Sequence, residues 1–259
     1  MTYDAVIIGA GLSGLAAGIR LSHFDKKVCI VEKHIVVGGL NSFFQRKQRT
    51  FDVGLHAMTN YTPKGVRTSP LGRLLKQLRF THDDFQLCEQ EMSEIRFPGK
   101  TLRFSNDFEF MNQEVAEQFP EEIDGFVKLV ERIKTMDAFS PDAPALSTRA
   151  VLGEYFSDPL LIEMLCCPLM YYGNAQEDDM DFAQFAIMFQ SIFLEGFSKP
   201  LGGMHYILQL MVDKFQANGG ELRLGNGAQS IDTVNGAVRS VTLDGGQTLA
   251  AEKVISSIG

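Results

Sequence analysis

The sequence predicts an α/β fold in which both chain ends build one layered domain and the middle forms an inserted α+β domain. Three observations predict it. Residues 3–31 read as strand, glycine turn, helix, strand, which is the pattern of a parallel βαβ unit. Residues 221–257 return to short apolar strands. Between them, residues 84–104 alternate as strands and residues 149–197 are mostly helical. The expected boundaries are 1–78 and 199–259 for the first domain and 79–198 for the insert.

The elements follow in order. Tyr3 to Ile8 is an apolar run suited to a strand buried on both faces, and Gly9 to Gly14 breaks it. Residues 15–24 form a helix with Leu15, Ile19 and Leu21 on its apolar side, and residues 27–31 form a second buried strand ending at Glu32. Residues 33–70 read as a long loop, followed by a short helix over 71–78. Pro98-Gly99-Lys100 turns residues 95–97 back onto 101–104. Pro120 is expected at the first position of a helix whose face carries Ile123, Phe126, Val127, Val130 and Ile133. Residues 140–144 are a loop, and the helical stretch 149–197 should break near Cys167-Pro168 and around Asn174. Its apolar stripe, Phe182, Phe185, Ala186, Phe189, Ile192, Phe193 and Phe197, reads as core. A helix over 204–217 ends at Asn218-Gly219-Gly220. Strands over 221–224, 228–234 and 237–243 follow, the last two joined by Asn235-Gly236 as a type I′ hairpin. Residues 253–257 form the final strand, and there are no internal repeats or low-complexity tracts.

Composition narrows the function. The chain has 259 residues, 45% of them hydrophobic, and a net charge of −8. A nucleic acid binder needs a positive face to displace counterions, so nucleic acid is excluded as a partner. Four cysteines without CxxC spacing argue against zinc ribbons and disulfide scaffolds, and no histidine has metal-ligand spacing. With no transmembrane-length apolar run and no secretory signal pattern, the expected location is the cytoplasm. The 20 Phe and 11 Met, against no Trp, fit a Phe-rich core or an apolar substrate cavity.

Gly9, Gly11 and Gly14 each meet a physical need of a dinucleotide-binding turn. Gly9 permits the sharp turn after the strand, Gly11 leaves space for a diphosphate, and Gly14 lets the helix pack closely on the sheet. The helix start, with Leu12 and Ser13, offers free N–H groups and a partial positive charge to the phosphates. Glu32 lies 18 residues past Gly14, near the position of the carboxylate that accepts bonds from a ribose. That carboxylate would repel a 2′-phosphate, which disfavours NADP. The spacing by itself leaves NAD and FAD open.

Glu32-Lys33 followed by Gly38-Gly39 resembles the extended signature of FAD-dependent amine oxidases, phytoene desaturases and their relatives, with Leu40 where those families carry Arg or Ser. Thr50-Phe51-Asp52-Val53-Gly54-Leu55-His56 resembles a segment of the carotenoid isomerase, phytoene desaturase and retinol saturase group. Phe119-Pro120-Glu121-Glu122, Pro200-Leu201-Gly202-Gly203-Met204 and the stretch from Gly219 to Ser257 resemble the same group. The resemblance implies a Rossmann-type FAD domain with an inserted substrate domain. It implies FAD held by Gly9, Gly11, Leu12, Ser13, Gly14, Glu32, Lys33, Gly38, Gly39, Leu40, Gly54 and Ala228. The implied activity is FAD-dependent oxidoreduction of a small apolar polyene or lipid-like substrate, walled by residues 80–198 and collected by peripheral contact with a membrane. Members of the group continue past this length, so the chain is expected to be a fragment, or to need a complementing subunit, and to bind FAD weakly or not at all alone. An amine oxidase, a non-catalytic dinucleotide-binding remnant and a plain NAD dehydrogenase are the alternatives. His56 is the candidate acid–base residue.

Overall fold

The computed structural model describes residues 2–140, 144–170 and 177–258. In chain order the elements are β1 (Thr2–Ile8), α1 (Leu12–Ser22), β2 (Val28–Val31), β3 (Phe43–Arg46), β4 (Arg49–Asp52), α2 (Pro70–Leu78) and α3 (His82–Phe85). Then come β5 (Leu87–Glu89), β6 (Ser93–Phe97), β7 (Lys100–Phe104), α4 (Phe108–Gln118), α5 (Ile123–Thr135), α6 (Thr148–Leu152) and α7 (Pro159–Met170). The chain continues with α8 (Phe182–Phe189), a π turn over Gln190–Leu194, β8 (Ser198–Pro200) and α9 (Met204–Ala217). It closes with β9 (Glu221–Arg223), β10 (Ala228–Val234), β11 (Ala237–Leu243) and β12 (Thr248–Ser256). None of the described helices is long and apolar enough to cross a membrane.

The residues sort into two compact units. The first comprises 1–57, 64–88 and 199–259, and the second 58–63 and 89–198. Residues 79–88 thus group with the chain ends rather than with the insert. The Tyr206 hydroxyl donates to the Asp84 carbonyl at 2.9 Å, and the Leu201 N–H donates to the Gln86 carbonyl at 3.0 Å.

The first unit holds a six-stranded sheet of order β10-β11-β12-β1-β2-β9. β12, β1, β2 and β9 run parallel, while β10, β11 and β12 form an antiparallel meander. The β1 and β2 residues Val6, Ile7, Cys29 and Ile30 are fully buried, as strands covered on both faces require. α1 and α9 pack together, and Gly18 makes this close: an added Cβ there would come 3.0 Å from the Phe215 ring and 2.8 Å from Ile30. The hairpin between β10 and β11 turns at Asn235 and Gly236, with φ of 51° and 78°, the geometry read from Asn-Gly.

The expected loop over 33–70 contains a second hairpin, β3 with β4, that the sequence conceals. Its two-residue turn is Lys47-Gln48, both at positive φ, where Asn-Gly would have announced it.

The second unit packs a β6–β7 hairpin and helices α4 to α8 around one apolar core. Phe182, Phe185, Phe189 and Phe193 are essentially fully buried and interlock in a run of ring contacts 4.9–5.9 Å apart. Burying each such side chain stabilises the unit by about 1.5–3 kcal/mol. The expectation that the Phe and Met excess walls a cavity is corrected here, because these residues, with Phe104, Phe126, Met111, Met164 and Met180, are core.

Other local readings change too. Pro120 sits in a turn, and Glu122 precedes α5, its buried carboxylate accepting from the Ser157 and Asp158 N–H groups at 3.1 and 2.9 Å. On α5 the buried face is Phe126, Leu129, Val130 and Ile133, while Val127 is exposed. The break at Cys167-Pro168 does not occur, since α7 carries Pro168 inside it and runs to Met170. The break around Asn174 and the core of the 140–144 loop lie outside the described residues. Helix α4 went unread, although Asp107 caps it by accepting from the Glu109 N–H at 3.0 Å. One reading stands unchanged: Cys166 is a packed side chain, its thiol pushed up to about 12 by burial.

Candidate functional site

A cavity of about 850 Å³ opens in the first unit at the carboxyl ends of β1, β2 and β12, where open α/β sheets place their ligands. Its wall is the turn after β1, the segment after β2, the stretch from Gly38 to Phe43, and Ser257 with Ile258.

The three glycines of the turn do three separate jobs. Gly9 adopts φ +100°, and a Cβ there would meet the Ser257 hydroxyl at 2.6 Å. A Cβ on Gly14 would lie 2.0 Å from the Gly9 carbonyl oxygen, so α1 can sit on the turn only because this side chain is missing. Gly11 is different. A Cβ there would have only the Gly38 oxygen within 4 Å, at 3.9 Å, so it would project into open space. Gly11 is also the N-cap of α1, and it offers no side chain to the first amides of the helix. Those amides and the positive end of the helix dipole therefore remain for an anionic ligand.

Glu32 is buried at the rim. Its carboxylate accepts from the Ala10 N–H at 2.7 Å and the His34 N–H at 2.9 Å, which ties the glycine turn to the end of β2. Each oxygen takes one donor there and retains a second lone pair. Gly38 closes the far side. Its N–H donates to the Ala10 carbonyl at 2.9 Å, and it pairs with Gly11 as an isolated parallel bridge. Its φ of +115° and a would-be Cβ only 2.8 Å from the Ser42 Cα both demand glycine.

The structure therefore brings Gly9, Gly11, Leu12, Ser13, Glu32, Lys33, Gly38, Gly39 and Leu40 to one cavity. Gly14 supports that wall from behind. Gly54 packs against it, since a Cβ there would stand 2.3 Å from the Leu40 carbonyl oxygen. Ala228 is half-buried at the start of β10 and His56 is exposed, and neither lines the cavity.

Sequence reasoning passed over Ser257 and Ile258, though their place after the last parallel strand was a usable signal. It also passed over Asp52. That side chain caps α9 from across the fold, accepting from the Met204 N–H at 3.0 Å and the His205 N–H at 3.2 Å, with the His205 Nδ1 also 3.2 Å away. Gly203, the residue preceding α9, has no side chain to do this. Burial pushes the Asp52 carboxyl up, but these hydrogen bonds outweigh it and hold the group below its ordinary value.

Known proteins resemble this chain along nearly its whole length. The prolycopene isomerase of Arabidopsis thaliana is 22% identical over 98% of this chain and 47% of its own length. The 4,4′-diapophytoene desaturase of a Methylomonas species is 26% identical over 98% of this chain and 53% of its own. This chain spans about half the length of these relatives. Among solved structures, an oxidoreductase from Methanosarcina mazei superposes with a TM-score of 0.76 at 23% identity, covering 98% of this chain and 58% of that one. A putrescine oxidase bound to putrescine superposes with a TM-score of 0.69 at 18% identity, covering all of this chain and 58% of that one. The α/β fold with a parallel-rich sheet is thus shared with these structures. The flavin containing amine oxidoreductase family matches residues 12–259, from the first residue of α1 onward. A match over nearly the whole chain shows that the chain belongs to that family, with FAD as the cofactor this implies.

Proposed function

We propose that this chain is the cofactor-holding part of an FAD-dependent oxidoreductase acting on C–C double bonds of an apolar polyene. The observation that carries the reading is Gly11, a side-chain-free N-cap facing an open cavity with Glu32 at its rim. The leading amides of α1, at Leu12 and Ser13, would hold the diphosphate, and the remaining lone pairs of Glu32 would accept from ribose hydroxyls. Gly38 and Gly39 would let the cofactor pass close to the backbone, with Lys33 and Leu40 on the same wall. Gly14 and Gly54 would act through the packing of that wall. Ala228 stands off the cavity and would contribute only to the meander beside it.

The flavin would supply the hydride chemistry, while the protein binds it, orients it and excludes water. No proton transfer is assigned to His56, which is exposed and outside the cavity. The polyene class is supported by the carotenoid isomerase and desaturase among the relatives by sequence. A further stretch of polypeptide, or a complementing subunit, would complete the substrate side, and the working place would be the cytoplasmic surface of a membrane.

Titration of FAD fluorescence with the purified chain tests the site. Saturable but weak quenching is expected, insensitive to added NADP and weakened in Gly11→Val; quenching that Gly11→Val leaves unchanged, or none even in a chain extended to the relatives' full length, overturns the reading. For the substrate class, a carotenoid polyene should bleach the flavin-loaded protein under anaerobic conditions and a small amine should not, and the reverse result replaces the polyene with an amine.

A further inference from the structure

The β3–β4 hairpin carries an arrangement that the cofactor site does not use. Phe44 and Phe51 face each other across the two strands with ring centroids 5.1 Å apart and planes 12° from parallel. Both are outward, at 52% and 41% exposure. One step toward the tip, on the same face by the two-residue period, Arg46 stands directly opposite Arg49. Like charges placed across a strand pair repel, and neither arginine has a hydrogen bond or ion pair among the described residues. Lys47 adds a third exposed cation at the turn.

The surface therefore combines a flat aromatic pair with three unpartnered cations on an element only four residues long on each side. An isolated hairpin of that size is marginal in water, so an apolar face left wet on it calls for a cover. The cover must be apolar next to Phe44 and Phe51 and anionic next to Arg46, Lys47 and Arg49. We propose that this hairpin docks the protein on an anionic phospholipid bilayer. The two rings sit at the headgroup boundary and the three cations engage lipid phosphates.

One further observation favours a bilayer over an acidic protein or a nucleic acid, and a second suits any anionic partner. The hairpin springs from the rim of the cavity, which Ser42 and Phe43 line, so a docked bilayer would lie beside the cofactor site. The first unit also carries more basic than acidic side chains, although the whole chain is at −8, because the acidic excess lies in the second unit. The proposal rests on the polyene reading only for its purpose, delivery of a lipid-dissolved substrate; the charge and ring geometry stand without it.

Flotation with vesicles of phosphatidylcholine, alone or mixed with phosphatidylglycerol, tests it without flavin. Binding to the mixed vesicles only, weakened by salt, is expected. Each basic side chain near an anionic surface contributes roughly fivefold in partitioning. The pair Arg46→Gln and Arg49→Gln should thus weaken binding about thirtyfold while leaving the thermal midpoint unchanged or higher, because their mutual repulsion is removed. Phe44→Ser with Phe51→Ser should also weaken it. Arg73→Gln with Lys76→Gln, which removes the same charge from the exposed side of α2, should leave it intact.

Absence of binding to mixed vesicles, or equal losses in the two charge variants, overturns the proposal. So does a concentration-dependent dimer that the Phe variants abolish, or tighter binding to a single-stranded oligonucleotide than to vesicles. FAD titration of the same samples separates the two readings. Lost flotation with retained flavin binding sinks the docking proposal alone, and the opposite pattern sinks the cofactor reading alone.

Discussion

A Cβ on Gly14 would stand 2.0 Å from a backbone oxygen, whereas a Cβ on Gly11 would meet open space. Two glycines three residues apart should therefore fail differently. Gly14→Ala should cost about 1–3 kcal/mol of stability through overpacking, read as a lower denaturant midpoint, whether or not flavin is present. Gly11→Val should cost about 1 kcal/mol or less, as a poorer N-cap, and weaken FAD by roughly 10- to 100-fold, the scale of losing charge-assisted phosphate contacts, read by fluorescence titration. Glu32→Ala should do both. It strands the buried Ala10 N–H, costing about 1–3 kcal/mol, and it removes the ribose acceptor. The geometry at these positions was legible in the sequence because each follows from a local need: a sharp turn, a close approach, a carboxylate at a strand end. The tie between Glu32 and Ala10 was not legible, since no spacing rule reveals which backbone amide a carboxylate will satisfy.

At the scale of elements, the contact most hidden from sequence is Asp52 on α9, which joins residues about 150 positions apart. Asp52→Ala should destabilise the first unit by about 1 kcal/mol, the usual cost of losing an N-cap. The sign with pH is set by the lowered carboxyl. The folded state holds this proton off more strongly than the unfolded chain. Its contribution is therefore full above the ordinary value of 3.8 and disappears as pH falls through the lower folded value. The gap between wild type and Asp52→Ala, measured by denaturant unfolding, should close in that acidic range.

Elements with strong local signals were legible. α9 was bracketed by Gly-Gly, and β10 and β11 by Asn-Gly. β3 and β4 were not, because their turn is Lys47-Gln48 and carries no glycine, asparagine or aspartate. α7 was misread in the other direction. Pro168 sits only two residues before the helix reaches Met170, and the apolar packing of Leu165, Cys166 and Leu169 holds that last turn where local propensity would end it.

At the scale of the molecule, the α/β class and the union of both chain ends were legible from strand-like runs alone. The sheet order was not, because apolar runs do not say which strands are neighbours. That order has a consequence for synthesis. β1 is made before β12, yet β12 is one of its two neighbours, and Thr2 pairs with Ala250. Until β12 arrives, the apolar run from Ala5 to Ile8 has a bare edge, and pairing so distant in sequence is slow to form. A chain stopped at residue 247 should scatter light on refolding at concentrations where the full chain stays clear. The nascent polypeptide would thus need shelter until β12 has emerged.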